Sequence, residues 1–318
     1  MRTIEGLDAL LALDLVANYG SAPPSHSVVA VGVFDGVHLG HQRLLHELLE
    51  LSSTLDAMPT VVTFANHPDQ VLHGQAPAPL VSVPHRLRLL RRAGVSRLVL
   101  LQFEPRLQNM TPREFTQRVL VGALHTRGLL LGYDSALGKD RAGTPACFAQ
   151  LGTEFGFQVH TGQPFELDGV PVSSTAIREA IQQGDLARAQ RFLGRFPGAL
   201  GTVVHGKARG QQLGFPTANL AMQPGALPPA GVYAVEAILD GSVHPAVANL
   251  GSAPTFADRQ GQTRLEVHLL DFHGDLYGRE LEVVFRQQLR PERKFADAAA
   301  LRAQIALDVA DARQVLRA

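Results

Sequence analysis

The chain has 318 residues, 29 of them basic and 29 acidic, with 45% hydrophobic and 18% charged. That length suits about two domains, and the hydrophobic content excludes a disordered chain. A formal net charge of zero without any polybasic run argues against a broad basic face for nucleic acid or for an anionic membrane.

The single cysteine, Cys147, rules out an internal disulfide and cysteine-rich zinc sites. Asp8 and Asp14 interrupt Leu10, Leu11 and Leu13, so no signal peptide is read at the N-terminus. No apolar stretch reaches the roughly 18 residues of a membrane span. The expectation is a cytoplasmic protein.

Along the chain, the apolar run 28–34 predicts a first strand, closed by the Asp35-Gly36 turn. A helix follows over 42–51, with Leu44, Leu45, Leu48 and Leu49 at helical spacing. Residues 60–64 predict a second strand and the basic, Leu-rich 85–93 a helix stopped by Gly94. Further strands are predicted over 97–103 and 129–132, separated by a helix that Thr111-Pro112 opens. Strands alternating with helices imply a doubly wound parallel sheet, which binds ligands beyond the carboxyl ends of its strands.

Ser173-Ser174-Thr175 ahead of Ile177, Ala180 and Ile181 reads as a capped helix start. A second helix over 185–193 is broken by Gly194, Pro197 and Gly198. The domain boundary is expected there, giving 1–195 and 196–318. The texture then changes to short strands over 202–205, 232–239, 245–250, 264–272 and 281–289, the pattern of an antiparallel barrel. Leu301, Ile305, Val309, Ala312 and Leu316 place an amphipathic helix at the end. The expected class is α/β followed by β with a terminal helix.

The first chemical motif runs from Gly32 to His41, Gly-Val-Phe-Asp-Gly-Val-His-Leu-Gly-His, directly after the first strand. Gly36 and Gly40 permit close backbone approach, and the helix start offers N–H groups and a positive dipole to an anion. His38 and His41 can donate to phosphate oxygens as charge develops on them.

His-x-Gly-His in this setting resembles the nucleotidyltransferase superfamily, which attacks the α-phosphate of ATP. The longer string resembles the N-terminal module of the bacterial bifunctional riboflavin kinase/FAD synthetases. Ser173 to Arg178, Ser-Ser-Thr-Ala-Ile-Arg, matches that family's second ATP motif, and Arg178 can fork onto phosphate. Two segments depart from the family's usual strings. Phe64-Ala65-Asn66-His67-Pro68 stands where Phe-Glu-Pro-His-Pro is common. Gly132-Tyr133-Asp134-Ser135-Ala136-Leu137-Gly138 stands where a Phe-x-Phe-Gly string is common, with Ser135 and Leu137 in place of the aromatics and Asp134 at a polar active-site position.

The second motif, Gly206 to Asn219, is Gly-rich and carries Lys207 and Arg209. Such a loop can cradle phosphates, while Thr217 and Asn219 offer hard oxygens suited to Mg²⁺. Its end, Gly-Phe-Pro-Thr-Ala-Asn, resembles the riboflavin kinase motif. Gly231-Val232-Tyr233, Asn249-Leu250-Gly251, Pro254-Thr255-Phe256 and Asp275-Leu276-Tyr277-Gly278 fit the same kinase barrel in order. Strand alternation sets Leu265, Val267 and Leu269 on one face and Glu266 and His268 on the other.

The resemblance implies an N-terminal Rossmann-like nucleotidyltransferase domain and a C-terminal riboflavin kinase barrel. It implies phosphorylation of riboflavin to FMN, then adenylylation of FMN to FAD with release of pyrophosphate. Glu266 would be the kinase base, and His38, His41 and Arg178 would serve adenylyl transfer. ATP would meet Gly32, Phe34, Gly40, Ser174 and Thr175 in one module and Gly206, Lys207, Gly214, Thr217 and Asn219 in the other. Asp134 and Arg290 would contact flavin, and Thr217 and Asn219 would hold Mg²⁺ with ATP. FMN and FAD are then products rather than tightly bound cofactors. ATP, riboflavin and FMN are the expected partners, with no nucleic acid, membrane or obligate protein partner.

Two other readings stay open from sequence. One is an active kinase whose altered Asp134–Gly138 segment marks a weak or differently specific N-terminal module. The other is a non-catalytic flavin-binding protein, against which Glu266, Thr217 and Asn219 speak together.

Overall fold

The computed structural model describes residues 2–19, 26–206, 209–252 and 263–317. They form two packed units, Met1–Pro77 with Arg86–Val172, and Ala78–His85 with Ser173–Ala318.

The first unit is built on six parallel strands: β1 (Arg2–Glu5), β2 (Ser27–Val31), β3 (Met58–Phe64), β4 (Arg97–Leu101), β5 (Thr126–Leu131) and β6 (Gln158–Thr161). Their spatial order is β1-β4-β3-β2-β5-β6. β2 is buried along its whole length, as a central parallel strand covered on both faces must be. It ends three residues before the expected Phe34, because Phe34 turns left-handed (φ 54°). Both edge strands escaped the sequence reading: Arg-Thr-Ile-Glu and Gln-Val-His-Thr are short and too polar to show an apolar run. A two-stranded hairpin, β7 (Glu166–Leu167) and β8 (Val170–Pro171), completes the unit's strands.

In the second unit β9 (Gly198–Val204), β10 (Ala218–Met222), β11 (Gly231–Leu239), β12 (Ser242–Ser252), β13 (Thr263–Leu269) and β14 (Glu280–Arg290) close into a barrel, in the order β10-β13-β12-β11-β14-β9. All neighbouring pairs are antiparallel. Leu220, Leu250, Leu265, Leu281 and Phe285 fill its interior. The terminal helix Ala298–Arg317 lays Val309, Ala312 and Leu316 against Val232, Ala234 and Val247 on the outer face. The sequence missed β10, whose residues read as the end of the Gly-rich loop.

Packing does not divide the chain at residue 195. Helices Ser174–Gln182 and Leu186–Leu193 belong to the barrel's unit, and Leu186 is part of the barrel core cluster. So does the segment Ala78–His85. Ala226 N donates to Leu80 O at 3.2 Å, and His85 Nε2 lies 3.2 Å from Glu282 Oε1 with both side chains buried. Apolar surface on the second of these helices is removed from water by the barrel, which is why the packing boundary falls earlier than the Gly/Pro signals.

Candidate active sites

In the first unit, β2 leads into a strained turn. Phe34 (φ 54°) and the β-branched Val37 (φ 43°) sit with Gly36 (φ 71°) in the left-handed region, a conformation that for non-glycine residues is kept only where surrounding packing imposes it. The turn delivers His38 to the start of helix Leu39–Thr54, and no side chain caps that start through His38. His41, one turn later, stacks on His38 with ring centroids 3.7 Å apart and 21° between planes. Gly40 leaves room for the stack: a Cβ there would lie 3.3 Å from the His38 ring, tight enough to press on it, and 3.5 Å from Phe165 Cβ.

The pair sits in a setting that disfavours added positive charge. The His41 pKa is pushed well below its ordinary value, first by burial, then by His38 and by Arg86. Two stacked imidazoles cannot both carry charge at low cost. Its Nδ1 is covered and makes no hydrogen bond among the described residues. Arg86 is itself buried. Its Nη2 donates to Phe64 O, burial lowers its pKa, and the nearby Asp35 acts in the opposite sense. Arg86 was not foreseen as part of this site, since in sequence it is one arginine of a basic helix.

Gly32 and the carboxyl ends of β2 and β3 also border a cavity of about 360 Å³. Phe64, Phe103 and Leu107 line one part of it, and Ser135, Leu137 and Gly138 another. The 135–138 rim is fixed by two hydrogen bonds between Leu137 and Gly143, 3.0 and 2.8 Å. Asp134 is exposed and is not among the lining residues. Phe34 is buried with its ring 5.2 Å from that of His41.

In the second unit, Ser173 Oγ caps the helix that Ser174 and Thr175 open, accepting from Ala176 N at 3.2 Å. Arg178 donates through Nε to Ala78 O at 2.6 Å.

The barrel gathers the second motif. Register pairs Asn219 on β10 with Glu266 on β13, and Glu266 with Asn249 on β12. Directly opposed residues share a sheet face, so the three form one polar row across neighbouring strands, while Leu220, Leu265 and Leu250 point into the core. Thr217, two residues before Asn219, falls on the same side by alternation. These residues line a cavity of about 370 Å³ together with Arg290 and the terminal-helix residue Asp308. Glu266 is half-buried and paired with Arg264 at 3.3 Å.

Arg290 is held firmly. Its Nε and Nη2 donate to Asp308 at 2.9 and 2.8 Å, and Gln304 Nε2 donates to the same carboxylate at 2.8 Å. Asp308 is buried; a bidentate charged pair in such a place fixes geometry as well as charge. The loop before β10 owes its path to two glycines. A Cβ on Gly206 would come within 2.8 Å of three atoms of the Asn219 amide, and one on Gly210 would lie 2.9 Å from Thr217 Oγ1. Gly214 turns at φ 86°. Lys207 and the 254–256 motif lie outside the described residues. Asn249 and Asp308 went unassigned in sequence: the first lay in a matched motif without a role, and the second is one acid on an exposed-looking helix.

Residues 21–176 match the FAD synthetase family model and residues 193–316 the riboflavin kinase model. A bifunctional riboflavin kinase/FMN adenylyltransferase of Pseudomonas fluorescens is 41% identical, over 95% of this chain and 97% of its own. The chain belongs to the bifunctional riboflavin kinase/FMN adenylyltransferase family.

The Escherichia coli K12 member of that family is 38% identical over 94% of this chain and 96% of its own. A solved structure described as a macrolide-efflux protein from Streptococcus pneumoniae shares the fold, with TM-score 0.79 and 32% identity over 92% of this chain and 95% of its own. Among the described residues no helix is long and apolar enough to cross a membrane. Family membership carries both reactions, riboflavin to FMN and FMN to FAD, and enzymes of this family use ATP and a divalent metal.

Proposed function

We propose that the two reactions are divided between the two cavities, with the barrel cavity as the kinase site and the His38–His41 region as the adenylyl-transfer site. The observation that carries the first half is the convergence of Thr217 and Asn219 with Glu266 and Arg290, which are distant from them in sequence, on one cavity. Glu266 accepts the proton of the riboflavin ribityl hydroxyl as its oxygen bonds to the γ-phosphorus of ATP and the bond to the β-phosphate oxygen breaks. Arg290, pinned by Asp308, orients the flavin, and the Gly206–Gly214 loop receives the phosphates.

The metal is Mg²⁺ in this reading. No group of three or more His, Cys, Asp or Glu side chains able to hold a metal occurs among the described residues. Thr217 and Asn219 instead present neutral hard oxygens beside a glycine cradle, which suits a cation that keeps waters and shares nucleotide phosphates. When bound, Mg²⁺ neutralises phosphate charge. Thr217→Ala should raise the Mg²⁺ concentration for half-maximal kinase rate and leave that for adenylyl transfer unchanged. An equal shift in both reactions would contradict the assignment.

In the first unit, His38 and His41 donate to the α-phosphate of ATP as an FMN phosphate oxygen bonds to it and pyrophosphate leaves. Gly32, Phe34 and Gly40 shape the approach, and the helix start supplies further N–H donors. Ser174, Thr175 and Arg178, at a capped helix start, are assigned to ATP phosphate binding. The 360 Å³ cavity beside Gly32 takes the flavin of FMN, with Asp134 near its mouth. Both reactions run in the cytoplasm.

Ser135 and Leu137 line that cavity where relatives commonly carry aromatics. Aromatic contacts add about 0.5–1.5 kcal/mol beyond area burial, roughly threefold to tenfold in affinity. Ser135→Phe with Leu137→Phe should therefore lower the KM for FMN by that factor and leave the KM for ATP unchanged. Better ATP binding with no gain for FMN would place this segment on the nucleotide side.

A further inference from the structure

Asn66 follows the end of β3 and is not among the residues that line the 360 Å³ cavity. Its side chain makes two hydrogen bonds to one backbone residue beyond β4. Nδ2 donates to Phe103 O at 2.9 Å, and Oδ1 accepts from Phe103 N at 2.8 Å. Just before it, Ala65 N donates to Leu101 O at 2.8 Å, the last backbone bond beyond the β3–β4 register. The Asn66 amide thus continues the ladder by one step where the two backbones part, using a side chain in place of a peptide group.

Both tied segments are cavity walls. On one side stand Phe64, His67 and Leu72; on the other, Phe103 and Leu107. Phe64 and Phe103 meet edge to face with centroids 5.8 Å apart and 87° between planes. A partly buried two-bond tie between the walls limits how far they can separate, and an ordered wall spares a ligand the cost of ordering it.

We infer that Asn66 is a positioning residue for FMN adenylylation, setting the spacing of the Phe64 and Phe103 walls and with it the affinity for the isoalloxazine ring. This rests on the reading that the 360 Å³ cavity holds the flavin of FMN. Asn66 is not among the residues that line that cavity; it acts through Phe103.

The test compares full-length Asn66→Ala, Asn66→Asp and Phe103→Ala in steady-state FMN adenylylation, with the kinase reaction as control. Asn66→Ala should raise the KM for FMN on the order of tenfold, the scale of one net hydrogen bond of about 1.4 kcal/mol. The adenylylation kcat, the KM for ATP and riboflavin phosphorylation should stay near wild type. Asn66→Asp keeps the acceptor for Phe103 N–H but sets a carboxylate oxygen against Phe103 O, and should raise the KM for FMN at least as far as Asn66→Ala. Phe103→Ala removes the wall itself and should also raise the KM for FMN. A shift in Phe103→Ala without one in Asn66→Ala overturns the positioning role and leaves the flavin cavity standing. No shift in either overturns the cavity reading beneath it. A parallel loss of kcat and of both substrates' KM values in Asn66→Ala overturns the proposal in favour of general structural damage.

Discussion

Glu266→Gln should lower riboflavin phosphorylation by about 10²–10⁴-fold, the usual cost of losing a general base, while conversion of supplied FMN to FAD stays near wild type. The substitution keeps shape and removes the proton acceptor. It also breaks the ion pair with Arg264, but that pair is partly exposed, and such pairs add little to stability. A folded variant therefore reports on chemistry. The polar row of Asn219, Glu266 and Asn249 stays in register because the strands are held by backbone ladders and by the apolar core on their other face. Normal kinase turnover in folded Glu266→Gln, measured as FMN formed per enzyme, would refute the assignment.

His41→Ala should cut FAD formation from FMN by about 10²–10³-fold, the cost of removing one donor to developing charge, and leave FMN formation intact. His41 is held at the start of its helix by the His38 stack and the strained Phe34–Val37 turn. Burial, then His38 and Arg86, disfavour its protonation, and the contribution assigned to it is a hydrogen bond to the developing charge. Unchanged FAD synthesis in a folded His41→Ala protein would remove His41 from the transition-state role.

Much of this was legible in the sequence, for physical reasons that differ by element. β2 and β3 were readable because central parallel strands are apolar on both faces. β1 and β6 were not, since a short edge strand needs no apolar run and is specified by its neighbour's ladder. Thr217 and Asn219, which line the barrel cavity, were readable because Gly206, Gly210 and the Thr217–Asn219 alternation are local requirements of one loop and one strand. Asp308 was hidden because its partner Arg290 lies on another element and nothing local marks it. Arg86 and Asn66 were hidden likewise: one is a buried cation within an otherwise ordinary basic helix, the other an amide whose partner is set by the meeting of two strands. Asp134, which sequence matching pointed to, stands exposed and off the cavity wall, since matching a motif position does not fix where a turn residue faces.

The division of labour between the two cavities is tested most directly by mixing the two defective proteins. Glu266→Gln alone, given riboflavin, ATP and Mg²⁺, should yield almost no FMN, and His41→Ala alone should accumulate FMN without FAD. Together they should produce FAD from riboflavin, because each supplies the step the other lacks. Failure of the mixture to make FAD, with both proteins folded and FMN present in solution, would contradict the separation of the two reactions.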